Sequence, residues 1–292
     1  MTDEGELAFV ERLRARLPAV GDDAAVLEGG RLVCTDLLVE GVHFRSAWAS
    51  PADVGFKALA VNLSDIAAMG GIPEVAVAAV SLPTDRPGLA DALLEGLLEC
   101  ADRFHCPLVG GDTSTGPDLY VAVTVTGRAE RPVLRSGALT EETVFVTGPL
   151  GGAAAVLERL DAGEPVDDPT PLHRPLPRLS EGQVAAAAGA TAMLDLSDGL
   201  AVDLHRLADA SGVGITIDPD RIPVADGASL EQAVGGGDDY ELCFTAPDPD
   251  RVRAAFSEAG LRVPVAVGRT TDGDGAKLAD QPLTGGWEHA IS

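Results

Sequence analysis

The feature that most constrains this chain is a set of five short aspartate segments spread between residues 21 and 199. They are Gly21-Asp22-Asp23-Ala24-Ala25, Thr35-Asp36, Asn62-Leu63-Ser64-Asp65, Gly110-Gly111-Asp112-Thr113 and Asp195-Leu196-Ser197-Asp198-Gly199. Each sets a carboxylate beside a residue suited to a sharp turn, a helix start or a strand end. Carboxylates dispersed in sequence that converge in space make sites for hard divalent cations. Mg²⁺ takes oxygen ligands and commonly shares them with phosphates. A fold for this chain must therefore gather distant segments, and phosphate chemistry is the leading expectation.

The 292 residues suffice for one large domain or two ordinary ones, and 46% are hydrophobic, enough for a substantial core. Aromatics are only 4%, so that core must rest on Ala, Val, Leu and Ile. The formal net charge of −25 argues against nucleic acid and against anionic membranes, because nothing here would neutralise a phosphate surface. Lys57 and Lys277 are the only lysines, so metal ions and Arg must supply most of the positive charge for any phosphate. Cys34, Cys100, Cys106 and Cys243 show no CxxC spacing and read as free, buried thiols of a reducing compartment. No signal segment and no membrane-length apolar run is visible, so the cytoplasm is the expected location.

Helical spacing of Leu7, Val10, Leu13 and Leu17 predicts a helix over 4–17. Ser50-Pro51 predicts a helix start, with the helix running to about Met69 before Gly70-Gly71. Further helices are expected over 87–104, from Gly152 to Leu160, over 178–189, after Ser197 or Asp198, and near 249–259. Strands are expected over 31–36, 75–82, 119–127, 143–147, 213–217, 241–245 and 263–267, and another runs into Asp195. Leu108-Val109 reads as a strand that turns at Gly110-Gly111-Asp112. The Pro-rich, acidic stretch 161–177 reads as the most mobile segment. Strands and helices alternate, so the class is α/β or α+β. The boundary is set near 130–137, giving domains 1–135 and 136–292.

Asp65 sits inside an otherwise apolar helix, where a carboxylate is costly unless a cation or metal partners it. Asp195 and Asp198 bracket a strand–helix junction whose free N–H groups also favour an anion, although either Ser197 or Asp198 can serve simply as a cap. Asp22, Asp23 and Asp36 can each be explained as turn residues. There is no GxxxxGK[ST], so a Walker-type loop is rejected. Gly235-Gly236-Gly237-Asp238-Asp239-Tyr240-Glu241 reads as a flexible loop or as one that closely approaches a small molecule. His43 fills a polar pocket or meets a phosphate. Trp287 stacks on a ring or clasps the core.

Taken together, several segments resemble the thiamine-monophosphate kinase family, of the superfamily that includes aminoimidazole ribonucleotide synthetase and selenophosphate synthetase. They are Gly-Asp-Asp-Ala-Ala (21–25), Thr-Asp-x-x-Val-Glu-Gly-Val-His-Phe (35–44), Lys-Ala-Leu-Ala-Val-Asn-Leu-Ser-Asp-Ile-Ala-Ala-Met-Gly (57–70), Gly-Gly-Asp-Thr (110–113), Arg-Ser-Gly-Ala (135–138), Leu-Asp-Leu-Ser-Asp-Gly-Leu (194–200) and Gly-Asp-Asp-Tyr-Glu-Leu-Cys-Phe-Thr (237–245). The resemblance implies a two-domain aminoimidazole ribonucleotide synthetase-like fold, with an N-terminal mixed sheet bearing helices and a C-terminal α/β domain. It implies a homodimer formed through the N-terminal sheets. It implies a phosphotransferase that makes thiamine diphosphate from ATP and thiamine monophosphate, with several Mg²⁺ ions and no phosphoenzyme or covalent nucleophile. By the same likeness Asp23, Thr35, Asp36, Asp65, Asp112, Asp195 and Asp198 match metal positions. Gly111, Asp112, Arg135 and Ser197 match ATP contacts, and His43, Asp238 and Trp287 match the thiamine-phosphate side. The alternatives are another ATP-dependent synthetase of the superfamily and a non-catalytic protein that binds divalent ions.

Overall fold

A computed structural model describes residues 4–5, 10, 12–17, 20–287 and 290–291. Of the helix expected over 4–17, Val10 and residues 12–14 are helical and 15–16 form a turn, while residues 6–9 and 11 lie outside the described residues. At its start, β1 (Glu4–Gly5) is a short strand that pairs antiparallel with Ala290–Ile291.

The N-terminal sheet contains β2 (Ala25–Leu27), β3 (Arg31–Val39), β4 (Ile72–Leu82), β5 (Leu108–Thr115) and β6 (Tyr120–Arg128). Its order is β2-β3-β6-β4-β5, and only β4 and β5 run parallel. One face packs on α1 (Pro51–Ala68), and α2 (Leu89–Arg103) packs on α1 in turn. Helix α1 starts where Ser50 and Asp53 form a reciprocal capping box with Pro51 in the first turn. Fourteen of its eighteen residues are buried. A helix that is apolar nearly all round must be covered on every side. The closeness of α1 and α2 depends on Gly96, where an added Cβ would lie 1.9 Å from the Ala52 carbonyl oxygen.

The C-terminal sheet contains β7 (Thr143–Val146), β8 (Ala192–Asp195), β9 (Gly214–Ile217), β10 (Leu242–Ala246), β11 (Val265–Thr271), β12 (Ala276–Leu278) and β13 (Gln281–Pro282). Its order is β13-β12-β9-β11-β7-β10-β8, antiparallel except where β12 meets β9. The helices are α3 (Gly152–Asp161), α4 (Thr170–His173), α5 (Leu179–Ala188), α6 (Leu200–Ser211), α7 (Leu230–Gly235) and α8 (Pro249–Glu258). Val144, Val146, Leu194 and Cys243 point into one core with residues of α6 and α7. Phe145, Met193 and Phe244 point into the other core with residues of α5 and α8. Burial on both faces explains why these strands read as unbroken apolar runs. Ala67 and Ala68 of α1 join that second core, so one helix is shared by both sheets.

Three expectations are corrected. Gly110-Gly111-Asp112 does not turn. It lies within β5, held by a parallel ladder to Val77, Ala78 and Ala79. Helix α6 is capped by Gly199, in a positive-φ conformation and without a side-chain cap, so neither Ser197 nor Asp198 caps it. The segment 161–177, expected as a mobile stretch with few core residues, contains a helix, α4, whose Leu172 and His173 are buried, and it carries ion pairs to the N-terminal half. Arg45 pairs with Asp161 at 2.7 Å, and Arg174 pairs with Asp53 at 2.6 Å and Glu99 at 2.7 Å. Strands β2, β12 and β13 and helix α7 are additions to the expected set. All four cysteines are free and buried. No described helix is long and apolar enough to cross a membrane.

Candidate functional site

Three of the dispersed aspartates meet. Asp23 precedes β2, Asp65 is on α1 and Asp195 ends β8, and each offers a carboxylate oxygen within 4.8 Å of the others. An octahedral Mg²⁺ spans about 4.2 Å between opposite oxygen ligands. The donor set and its spacing therefore fit a hard divalent cation. Burial, then the charges of Asp36, Asp195 and Asp23, push the Asp65 carboxyl well above the usual carboxylate range. Burial and then Asp23 do the same to Asp195. Asp36 is pushed up to about 6 by burial, then by Asp23 and Asp198.

Neighbouring residues fix these acids. Ser64 donates to Asp195 Oδ2 at 2.5 Å, joining α1 to β8 across the two sheets. Asn62, fully buried, accepts from the Asp36 backbone N–H at 3.1 Å and donates to the Ala58 carbonyl. In α5, Gly182 lies against α1, and a Cβ there would come within 2.1 Å of the Ala67 carbonyl oxygen.

Two arginines answer the acids. Arg135 donates to both oxygens of Asp23, and its own backbone N–H is held by Asp22. Ser211, at the end of α6, donates to the Arg135 carbonyl at 3.0 Å and accepts from the Gly137 and Ala138 N–H groups. Arg206 pairs with Asp198 and, at 2.8 Å, with buried Asp203. Burial pushes Asp203 up to about 7. Asp203 also accepts from the Asp198 N–H, so this trio sets the conformation of the Asp195–Gly199 segment.

The Gly-rich loop 235–241 lies against that segment. Asp238 and Tyr240 donate their N–H groups to the carbonyls of Ser197 and Leu196, extending the β8–β10 ladder. Gly237 allows this approach, since a Cβ there would lie 2.6 Å from the Ser197 carbonyl oxygen. Asp238 pairs with Lys57 of α1 at 2.9 Å. The C-terminal tail folds back here as well: Trp287, half exposed, donates its N–H to the Asp198 carbonyl. His43 lies in the turn after β3, its Nδ1 accepting from the Val39 N–H.

The remaining predicted residues lie elsewhere. In the N-terminal sheet Asp36 is in register with Val123, Ala78 and Gly111, while Leu37 is in register with Ala122, Ala79 and Asp112. Side chains alternate along a strand. Val123 and Ala78 are buried under α1, whereas Leu37 is 49% exposed. Asp36 therefore faces α1 and the acidic group, and the Asp112 side chain faces away. Thr35 shares that outer face, its hydroxyl bonded to the Val123 carbonyl and to Thr124. The structure thus does not bring the Thr35 hydroxyl or the Asp112 carboxylate to the acidic group within one chain.

Sequence reasoning missed Lys57, Asn62, Ser64, Asp203, Arg206 and Tyr240 as parts of the site. The signal for Arg206 was present. Asp203 and Arg206 are three apart in a helix, so they lie on one face just after Asp198.

Two family models match: AIR synthase related protein, N-terminal domain, over residues 21–129, and AIR synthase related protein, C-terminal domain, over residues 140–281. The chain is 39% identical over 268 residues to the thiamine-monophosphate kinase of Bacillus subtilis (strain 168), covering 84% of this chain and 82% of that one. It is 37% identical over 296 residues to the thiamine-monophosphate kinase of Halobacterium salinarum, covering 97% and 99%. Among solved structures, AaThiL complexed with AMPPCP and TMP superposes with a TM-score of 0.91 at 31% identity, covering 99% of this chain and 98% of that one. By sequence, by fold and by the acids it gathers, this chain belongs to the thiamine-monophosphate kinase family.

Proposed function

We propose that this protein transfers the γ-phosphoryl group of ATP to thiamine monophosphate, giving ADP and thiamine diphosphate. The observation that carries the reading is the convergence of Asp23, Asp65 and Asp195 from three distant segments onto one cation-sized space. Both reactants are polyanions, so the transfer needs positioning and charge neutralisation more than covalent help. Bound Mg²⁺ would supply Lewis-acid neutralisation of the phosphates. In this proposal Asp23, Asp36, Asp65, Asp195 and Asp198 hold the ions. Arg135 and Ser197 bind ATP, and His43, Asp238 and Trp287 bind the acceptor. No side chain is assigned as a covalent nucleophile.

The division at 1–135 and 136–292 belongs to the same proposal, supported by the separate sheets on either side of it. So does a homodimer formed through the outer faces of the N-terminal sheets, where Leu37 and Val77 are exposed. Thr35 and Asp112 then reach metal or nucleotide only by way of that paired face, whereas Gly111, in register with Asp36, is on the side of the acids. A cytoplasmic location is proposed because all four cysteines are free thiols.

The test is direct. Purified protein is incubated with ATP, Mg²⁺ and thiamine monophosphate, and thiamine diphosphate is followed by chromatography. Product is expected, its formation should stop on adding a chelator, and folded protein that makes none would refute the proposal.

A further inference from the structure

Asp238 is held from both sides. Its Oδ2 accepts from Lys57 Nζ at 2.9 Å and its Oδ1 accepts from the Tyr240 hydroxyl at 3.0 Å. Lys57 stands on α1, and its side chain is only 4% exposed. A buried ammonium is retained only where a charge partner answers it. Asp238 keeps 31% of its side chain accessible, so the carboxylate is open on one side while its partners are enclosed.

The backbone shows the same organisation. Asp238 has φ 67° and Tyr240 φ 50°, both in the left-handed region that non-glycine residues rarely adopt. Such conformations persist where the surroundings over-determine them, and they cluster at ligand sites. Here the Ser197 and Leu196 carbonyls hold the two N–H groups while Lys57 and the Tyr240 hydroxyl hold the carboxylate. His173 of α4 is buried beside the pair: burial lowers its pKa, and among smaller causes Lys57 lowers it while Asp238 raises it.

We infer that Lys57 and Tyr240 are positioning residues that fix the Asp238 carboxylate, so that its open side meets the cationic ring portion of the acceptor. The inference rests on the proposed function, because it takes a substrate carrying a permanently charged heteroaromatic ring next to a phosphate ester. A carboxylate pinned at both oxygens needs no reorientation when the ring arrives. Tyr240 and Asp238 lie against the acidic segment, because their N–H groups bond to the carbonyls of Leu196 and Ser197, between Asp195 and Asp198. The acceptor site therefore adjoins the acids of the proposed transfer centre.

The experiment compares wild type, Lys57→Met, Lys57→Arg, Tyr240→Phe, Asp238→Asn and the double variant Lys57→Met/Asp238→Asn. KM for ATP and for thiamine monophosphate, kcat and melting temperature are measured for each. Lys57→Met and Tyr240→Phe are expected to raise KM for thiamine monophosphate tenfold or more, with KM for ATP within twofold. Lys57→Arg should recover part of the loss. In the Asp238→Asn background the Lys57 change should add less than twofold, because its effect passes through Asp238. Tyr240→Phe removes only a hydroxyl and keeps the test alive if Lys57→Met does not fold. An unchanged KM for thiamine monophosphate in Tyr240→Phe overturns the inference alone, as does a full Lys57 effect without the Asp238 carboxylate. A folded wild type with no turnover overturns the inference together with the proposed function.

Discussion

Arg135 grips Asp23 with two hydrogen bonds, Nη2 to Oδ1 at 2.6 Å and Nε to Oδ2 at 3.2 Å. The Asp23 side chain is 1% exposed, so the guanidinium is its counter-charge in place of water. Taking one partner from a buried pair costs about 3 kcal/mol or more.

Arg135→Gln is therefore expected to lower the melting temperature by roughly 6–12 °C, at about 2–4 °C per kcal/mol for a chain of this size. Mg²⁺ should return part of that loss, since the ion would neutralise the stranded carboxylate. Differential scanning calorimetry with and without Mg²⁺ checks this, and equal melting of variant and wild type in chelator would contradict it.

The Asp36 carboxyl, raised to about 6, gives a signed dependence on pH. Between about pH 4 and 6 the folded chain keeps a proton that the unfolded chain has released, so the contribution of Asp36 to stability falls as pH rises through that window. Above pH 6 it is a constant cost. A cation needs the deprotonated form. Mg²⁺ affinity is expected to climb from pH 5 to pH 7 with proton release, measured by titration calorimetry in two buffers of different ionisation enthalpy. Flat affinity and no proton release would remove Asp36 from the ion-binding set.

Arg206 serves two acids at once, Asp198 and the 1%-exposed Asp203. Arg206→Met strands Asp203 and is expected to destabilise by about 3 kcal/mol. Adding Asp203→Asn removes the stranded charge and should recover more than half of that. Chemical denaturation of both variants decides it: a double variant no more stable than the single one means that Arg206 acts mainly by packing.

The outer face of the N-terminal sheet exposes Leu37 and Val77 on the side away from α1. Replacing both with Glu is expected to yield a folded monomer from a dimeric wild type, read by light scattering after size exclusion. A dimeric double variant would show that the copies pair elsewhere.

Much of the site could be read from the sequence because it depends on local grammar. Ser50-Pro51 marks the start of α1, and an Asp inside an apolar helix signals a hidden partner. The lapses are equally physical. Gly110-Gly111-Asp112 carries turn-forming residues, yet the ladder to β4 holds it extended, a tertiary effect that overrides propensity. The same extension decides the facing of Asp112, which spacing alone does not give. Arg174 fastened the 161–177 segment through partners Asp53 and Glu99, more than seventy residues away in sequence. Nothing in the sequence around Lys57 points to its partner: the fold sets Asp238, 181 positions on, against it.

Helix α1 lies between the sheets, touching β3 and β6 on one side and α5 and β8 on the other. A chain severed between the stretches matched by the two family models would leave that rod bare along one flank. The amino-terminal fragment is then expected to come out as inclusion bodies when expressed alone and to stay dispersed when its complement is made alongside it. Gene fusions and split reporters built on this scaffold have to keep both pieces in the same cell.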